Sequence, residues 1–467
     1  MRYFLVKNLQ NGGTVMIQID EKVYGQSKAR IEQLFDAATF VELGAYTKRS
    51  GNDVEFEGVL CGYGAINGKL AFAFSQDSSR AKGAFSERHF KKISNLYSLA
   101  IKNGAPIIGI FDSAGAVVYD GAEALAAYGR FMKCVSDASG IVPQIAIVDG
   151  ICGGSSAIIA SMFDVTLTVK GASKLFVNSP FTVGESDANA NGLSAYEAEN
   201  EGELFEFARK LVSLLPSNNA DGAFCENTDD MNRAVSFDVS SYKAEELVKT
   251  VADNGEVTRL YSSYVDNAFL GFASFGGVTA GVIASEPNSV LDIKTARATA
   301  KLISFCDSFS IPVLTLVDSI GLDVNLEAEK AAYASELARL AYAYTSSTNA
   351  KVTVVVGKAY GASFALLGSK AVGADIAYAL DSAAISVLSP EASVAFVWND
   401  KVCNQSREEL ETEWKEKCAS AAEACYKGEL DDVIEATELR ARICAAFSML
   451  ASKADASPAR KHANMPL

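Results

Sequence analysis

Histidine is almost missing from this chain: 467 residues include only His89 and His462. Histidine is the usual proton carrier near neutral pH and a frequent metal ligand. A Ser–His–Asp hydrolase would have to rest on one of these two. His89 opens a helix in Glu87-Arg88-His89-Phe90-Lys91-Lys92, and His462 lies in a basic tail. Both read as structural or surface residues. The nine cysteines include no Cys-x-x-Cys pair, and no His/Cys cluster has the ligand spacing of a zinc site, so no metal is expected. An odd cysteine count without an export signal suits reduced thiols and a cytoplasmic protein. The start, Met1-Arg2-Tyr3-Phe4-Leu5-Val6-Lys7, meets Asn8 and Gln10 too soon for a signal-peptide core. No apolar run reaches the roughly 18 residues that a membrane span needs. Positive charge is also short: 42 Lys and Arg face 57 Asp and Glu, a net charge of −15. That balance argues against nucleic acid and anionic membrane surfaces as partners. A polyanionic ligand would have to be met by local clusters of Lys and Arg. With so few titrating groups of the right kind, chemistry is expected to rest on backbone donors.

Such donors are suggested twice. An apolar strand runs into Gly150-Ile151-Cys152-Gly153-Gly154-Ser155-Ser156 and then into a helix-like apolar run. The strand Val352–Val356 runs into Gly357-Lys358-Ala359-Tyr360-Gly361-Ala362-Ser363 and then into Phe364-Ala365-Leu366-Leu367. A strand that feeds small residues into a helix start leaves bare N–H groups aimed outward, which is how a protein builds an oxyanion site from backbone alone. Two sites in register suggest one enzyme that holds two reacting oxyanions.

The correspondence extends beyond the glycines. Ala105-Pro106-Ile107-Ile108-Gly109-Ile110-Phe111-Asp112-Ser113 is answered by Ile311-Pro312-Val313-Leu314-Thr315-Leu316-Val317-Asp318-Ser319. Asn178-Ser179-Pro180 is answered by Leu388-Ser389-Pro390, and Gly62–Lys69, more loosely, by Gly271–Val278. Partners lie roughly 206 to 211 residues apart, a period that means a duplicated domain rather than a solenoid unit. The length suits two domains of about 200 residues each. Strand–helix alternation with small-residue loops indicates an α/β class with parallel-type strands. The pattern predicts a short helix from Lys28 running into Phe40–Leu43, two strands between Glu55 and Asp77 around Asn67-Gly68, and helices over Ser86–Asn103 and Gly121–Asp137. It places further strands at 107–111, Ile145–Val148, Asp164–Val169 and Lys174–Val177, and a helix over Glu197–Leu214. The polar stretch Asn218–Ser241 reads as the linker, giving domains 1–225 and 226–467. Ser406–Ser452 read as two charged helices and Ser457–Leu467 as an extended tail.

At these residues the sequence resembles the carboxyltransferase β family: the acyl-CoA carboxyltransferase components of biotin-dependent acyl-CoA carboxylases, of the propionyl-CoA carboxylase β type, and of sodium-pumping decarboxylases, of the methylmalonyl-CoA decarboxylase α type. The resemblance is carried by Leu34-Phe35-Asp36 with Phe40-Val41-Glu42-Leu43, by Asn103–Gly109, and by Leu215-Pro216-Ser217-Asn218-Asn219. It continues through Phe305–Pro312, Lys358-Ala359-Tyr360-Gly361 and the ending Pro458–Leu467. It implies two tandem crotonase-like domains from an internal duplication, paired head to tail in a homo-oligomer, a dimer or trimer of dimers. It implies an acyl-CoA in the N-terminal domain and biotin, on a biotin carboxyl carrier protein, in the C-terminal domain of a partner chain. Biotin carboxylase or membrane decarboxylase subunits would be further partners, the latter allowing a peripheral place at a membrane.

Carried over residue by residue, the family's first oxyanion site falls on Gly153, Gly154 and Ser155, and its second on Gly361, Ala362 and Ser363. The loop beside the first falls on Ser113, Ala114, Gly115 and Ala116. The chain departs from the family pattern in places. Ala114 replaces a glycine and Val117 an arginine of the first loop; Ser155 and Ala362 each replace a glycine; Ile320 replaces a proline of the second loop. Two other readings compete: a non-catalytic carboxyltransferase-like subunit paired with an active homologue, and a crotonase-type hydratase using Asp120 and Glu123.

Overall fold

The computed structural model describes residues 3–7, 14–18, 25–49, 56–184, 187–455, 464 and 466. His462, and the tail apart from residues 464 and 466, lie outside them. The chain divides into two compact units. One comprises the residues up to Ala188 with Glu197–Ser213; the other comprises Asn189–Tyr196 with Leu214–Leu467.

A hairpin of β1 (Tyr3–Lys7) and β2 (Thr14–Gln18) comes first. The first large sheet contains β3 (Val41–Leu43), β4 (Val59–Ile66), β5 (Lys69–Gln76), β6 (Ile107–Ser113), β7 (Gln144–Gly153), β8 (Val165–Val169) and β10 (Tyr196–Ala198), in the spatial order β3-β4-β5-β6-β7-β8-β10. The short β9 (Lys174–Phe176) pairs with the far end of β7. The second sheet contains β11 (Val257–Leu260), β12 (Ala268–Phe275), β13 (Val278–Ser285), β15 (Val313–Leu322), β16 (Lys351–Tyr360), β17 (Ile376–Leu380) and β19 (Asp432–Ile434), in the order β11-β12-β13-β15-β16-β17-β19. Here β14 (Ser289–Leu291) pairs with β15 and β18 (Ala384–Ser386) with β16. In both sheets an antiparallel meander leads into a run of parallel strands. The central parallel strands are apolar and buried along most of their length, as strands covered on both faces must be.

The helices follow local signals. Ser86 caps the helix Glu87–Asn103 by accepting from the His89 N–H, and Gly104 closes it at φ 60°. The matched Ser-Pro pairs act alike: Ser179 caps the turn at Pro180, and Ser389 caps the helix Pro390–Val397.

The expected helix running from Lys28 into Leu43 is shorter than that. It ends at Leu34, and Val41–Leu43 form β3. The reason is Asp36, whose carboxylate accepts from the N–H groups of Asn67 and Gly68 at 3.1 and 2.9 Å and is braced by Arg209 at 2.7 Å; Ala38 then turns the chain at φ 61°. The second unit clamps its equivalent hairpin similarly. Asp253 accepts from Gly276 and Gly277 at 2.9 and 2.8 Å, braced by the fully buried Arg440 at 2.7 Å. Ser406–Ser452 is also not two helices. Ser406 and Ser420 cap separate helices, Arg407–Cys418 and Ala421–Tyr426; β19 then joins the sheet, and a third helix covers Leu439–Leu450.

Candidate active site

Each glycine-bearing motif is a strand, a one-residue turn and a helix start. Strand β7 ends at Gly153, Gly154 turns at φ 59° and ψ −124°, and a helix begins at Ser155. Strand β16 ends at Tyr360, Gly361 turns at φ 61° and ψ −143°, and a helix begins at Ala362. Both turns sit where a side chain would be strained, so glycine is required there. Both turn N–H groups are already used: Gly154 donates to Phe176 O and Gly361 to Ser386 O, each at 2.9 Å. The N–H groups left without an acceptor therefore begin one residue further on than the glycines themselves. Among the described residues, the N–H groups of Ser155, Ser156 and Ala157 meet no acceptor, nor do those of Ala362 and Ser363. Ser363 directs its hydroxyl back to Tyr360 O at 2.7 Å. Ala362 is exposed and does not have a positive φ, so its methyl group is carried without strain.

The loop after β6 supplies a further donor. Ala114 donates to Lys82 O, Gly115 approaches Ser113 Oγ at 3.3 Å, and Val117 donates to Phe85 O. Phe85 and Ala116 form a parallel bridge, and the Ala116 N–H has no acceptor among the described residues. In the second unit Gly321 approaches Ser319 Oγ at 3.4 Å, the same local turn.

Beneath each loop lies an aspartate. Asp112 Oδ1 accepts from the Ile151 N–H at 3.3 Å, and Asp318 Oδ1 from the Lys358 N–H at 3.1 Å. Each carboxylate occupies the space where a Cβ would stand on the adjoining glycine, Gly150 or Gly357. That close approach explains a glycine at each strand position without appeal to a ligand. The braces differ. Asp112 is held by Arg30 at 3.0 Å; Arg30 also holds Asp149 at 2.6 Å and donates to the carbonyls of Gln76 and Asp149. Asp318 faces the phenol of Tyr242 at 3.4 Å. Burial raises the Asp318 carboxyl above its ordinary range, against the opposing pull of the Lys358 and Asn288 N–H groups. Burial likewise pushes the Cys152 thiol up, so the cysteine of the first motif stays a neutral core residue.

His89 is buried between Glu57, 3.5 Å from its Nδ1, and Gln76, 3.4 Å from its Nε2. Glu123 is exposed on its helix. The sequence does not single out Arg30 and Tyr242, because nothing near them in the chain repeats, nor Asp149, which lies beside the repeated motif but has Val356 as its counterpart. The duplicated Asp-Ser pair at 112–113 and 318–319 was the one available signal.

The carboxyl transferase domain matches residues 26–465 of this chain. The chain belongs to the carboxyl transferase family. It is 32% identical over 485 residues to methylmalonyl-CoA decarboxylase subunit alpha of Veillonella parvula, covering 96% of this chain and 95% of that one. It is 31% identical over 476 residues to the propionyl-CoA carboxylase beta chain of Roseobacter denitrificans, covering 94% and 93%. A crystal structure of transcarboxylase 12S, described as a hexamer with methylmalonyl-coenzyme A and methylmalonic acid bound, superposes with a TM-score of 0.89 at 30% identity, covering 94% of this chain and 92% of that one. The protein is thus an enzyme, a carboxyltransferase of the propionyl-CoA and methylmalonyl-CoA type. Among the described residues no helix of this carboxyltransferase is long and apolar enough to cross a membrane.

Proposed function

We propose that this carboxyltransferase moves a carboxyl group between carrier-bound biotin and a short-chain acyl-CoA, using two backbone oxyanion sites on tandem crotonase-like domains. The observation that carries the reading is the duplicated helix start with acceptorless N–H groups, at Ser155 and at Ala362–Ser363. In the carboxylating direction the Ala362 and Ser363 N–H groups would hold the ureido oxygen of carrier-bound biotin, which would supply CO2 and, once freed of it, the base for the thioester α-proton. Charge moves to the thioester oxygen, held by the Ser155 and Ala116 N–H groups, and the enolate carbon attacks CO2. No side-chain base is required, in keeping with a chain of two histidines. Gly153, Gly154 and Gly361 shape the turns, and Ser113, Ala114 and Gly115 set the loop that presents Ala116. Residues 1–225 are assigned to the acyl-CoA and 226–467 to biotin, the latter on a biotin carboxyl carrier protein. A homo-oligomer, at least a dimer, brings the first site of one chain to the second site of another.

Ser155 tests this. It is the first residue of its helix, where proline is tolerated and its missing N–H costs no helical bond. Ser155→Pro should remove one donor and leave the fold intact. Loss of a single oxyanion donor slows turnover about 100- to 1000-fold. The assay is transfer of labelled carboxyl from methylmalonyl-CoA to biotin. Turnover within about threefold of the parent protein, where one donor's loss costs that much, would remove Ser155 from the site.

A further inference from the structure

The two aspartates under the loops perform one task with different proton inventories. In the first unit Asp112 is buried beside a guanidinium that also holds Asp149. In the second unit the residue corresponding to Asp149 is Val356, one position before Gly357, and among the described residues no guanidinium faces Asp318. Its partner is Tyr242, from the segment just ahead of the helix Ala244–Val251, as Arg30 comes from the helix Gly25–Leu34 ahead of its own sheet. The Tyr242 hydroxyl has a single proton but two oxygens within reach, Ser285 O at 3.2 Å and Asp318 Oδ2 at 3.4 Å. With Asp318 ionised, the Tyr242 proton can serve only one of the two. With Asp318 protonated, its Oδ2–H donates to the Tyr242 oxygen, the Tyr242 proton goes to Ser285 O, and every group has a partner. Oδ1 remains free to accept from the N–H groups of Lys358 and Asn288, both at 3.1 Å. The loop-holding bonds therefore survive protonation. In the first unit Oδ1 is likewise the oxygen that accepts from Ile151, but a proton on Oδ2 would set a neutral acid against the buried Arg30 and break the ion pair that holds the carboxylate in place.

We propose that Tyr242 and Asp318 form a proton-accepting brace that positions the second loop, whereas the Arg30–Asp112 brace of the first loop works only as an ion pair. The other titratable groups around Asp318 are Lys358 on β16, Tyr360 at the end of that strand, and Glu286 after β13, which acts through Tyr242 and accepts from the Ala244 N–H. Among the described residues in this group only Lys358 carries positive charge, and it is exposed. The direction of the Asp318 shift agrees: a carboxyl raised in the folded state stabilises the fold fully below its unfolded value, and that contribution is lost as pH rises through the folded value.

Asp318→Asn mimics the protonated acid, donating to Tyr242 and accepting from Lys358 and Asn288. The test is the urea midpoint of the full chain from acidic to mildly alkaline pH, for the parent, Asp318→Asn and Asp112→Asn. Asp318→Asn should equal the parent at acidic pH and exceed it above the folded value of Asp318, so that the difference grows with pH. Asp112→Asn should lower the midpoint throughout. If Asp318→Asn lowers the midpoint as Asp112→Asn does, fails to fold, or differs from the parent by an amount that does not change with pH, the proposal is overturned. A kinetic measurement asks whether the brace positions the second site, and this part rests on the transfer reading above. Tyr242→Phe should raise KM for the biotin substrate about threefold to tenfold, the effect of one lost hydrogen bond, and leave KM for the acyl-CoA unchanged. An equal rise in both would mean a general structural role. A parent that transfers no carboxyl group would sink the functional reading while the midpoints still decide the brace.

Discussion

At the scale of single residues, the departures from the family pattern become interpretable once the N–H groups are traced. Ser155 and Ala362 replace glycines, yet each begins a helix and keeps an N–H that meets no acceptor among the described residues. A Cβ added there crowds the approach; it does not remove the donor. The glycines that cannot be replaced are Gly154 and Gly361, whose φ of 59° and 61° combined with ψ of −124° and −143° lies outside the left-handed region that other residues enter. Ala362 separates crowding from loss of the donor. Ala362→Gly opens the approach and should leave transfer equal to or faster than the parent. Ala362→Pro keeps a small residue at the first helical position but deletes the N–H, and should slow biotin-dependent transfer about 100-fold or more. KM for the acyl-CoA should stay at the parent value in both. Equal rates for the proline and glycine variants would mean that Ala362 does not bear the ureido oxygen.

At the scale of elements, the repeat was legible in the sequence wherever both copies solve a problem with the same residue type. Pro106 and Pro312, Asp112 and Asp318, and the Ser-Pro pairs keep a nearly constant offset because strands, loops and caps are local. The braces were not legible. Arg30 meets Asp112 across 82 positions, while Tyr242 meets Asp318 across 76 and with different chemistry. The hairpin clamps break the offset as well: Asp36 and Asp253 are 253 − 36 = 217 positions apart, Arg209 and Arg440 are 440 − 209 = 231 apart. Helix ends set by such clamps leave no local signal in the sequence, which is why the first helix stops at Leu34, short of the expected run into Phe40–Leu43. One difference between the copies is a reciprocal exchange of size. Gly153 is the ladder partner of Phe176, while Tyr360 is that of Ser386. A Cβ on Gly153 would meet the Phe176 ring at 2.9 Å. Gly153→Tyr alone should therefore overpack the strand end and lower stability by about 1–3 kcal/mol. Adding Phe176→Ser should recover most of that loss, a coupling that urea denaturation of the two single variants and the double variant would measure. Additive effects would show that the two positions do not share one space.

At the scale of the whole molecule, large apolar side chains lie bare beside the turns that carry the donors. Val118 and Tyr119 follow the loop after β6, and Phe181 and Val183 follow β9. Val324 and Leu326 follow β15, and Val387 and Phe396 follow β18. Tyr119, Phe181 and Val324 are fully exposed, at 101%, 104% and 100%. Scattered exposed apolar residues need no explanation, but groups of them following the C-terminal ends of the same parallel strands in both sheets are what the proposed homo-oligomer would cover. A net charge of −15 opposes self-association, so an assembly must rest on these apolar contacts and should tighten as salt screens the repulsion. Light scattering at micromolar concentration should show a dimer or a larger homo-oligomer. Phe181→Glu should shift it toward monomer and abolish transfer, with the circular dichroism of the helices unchanged. A stable monomer that transfers carboxyl groups at the parent rate would mean that each chain completes its own site and that these apolar groups serve some other partner.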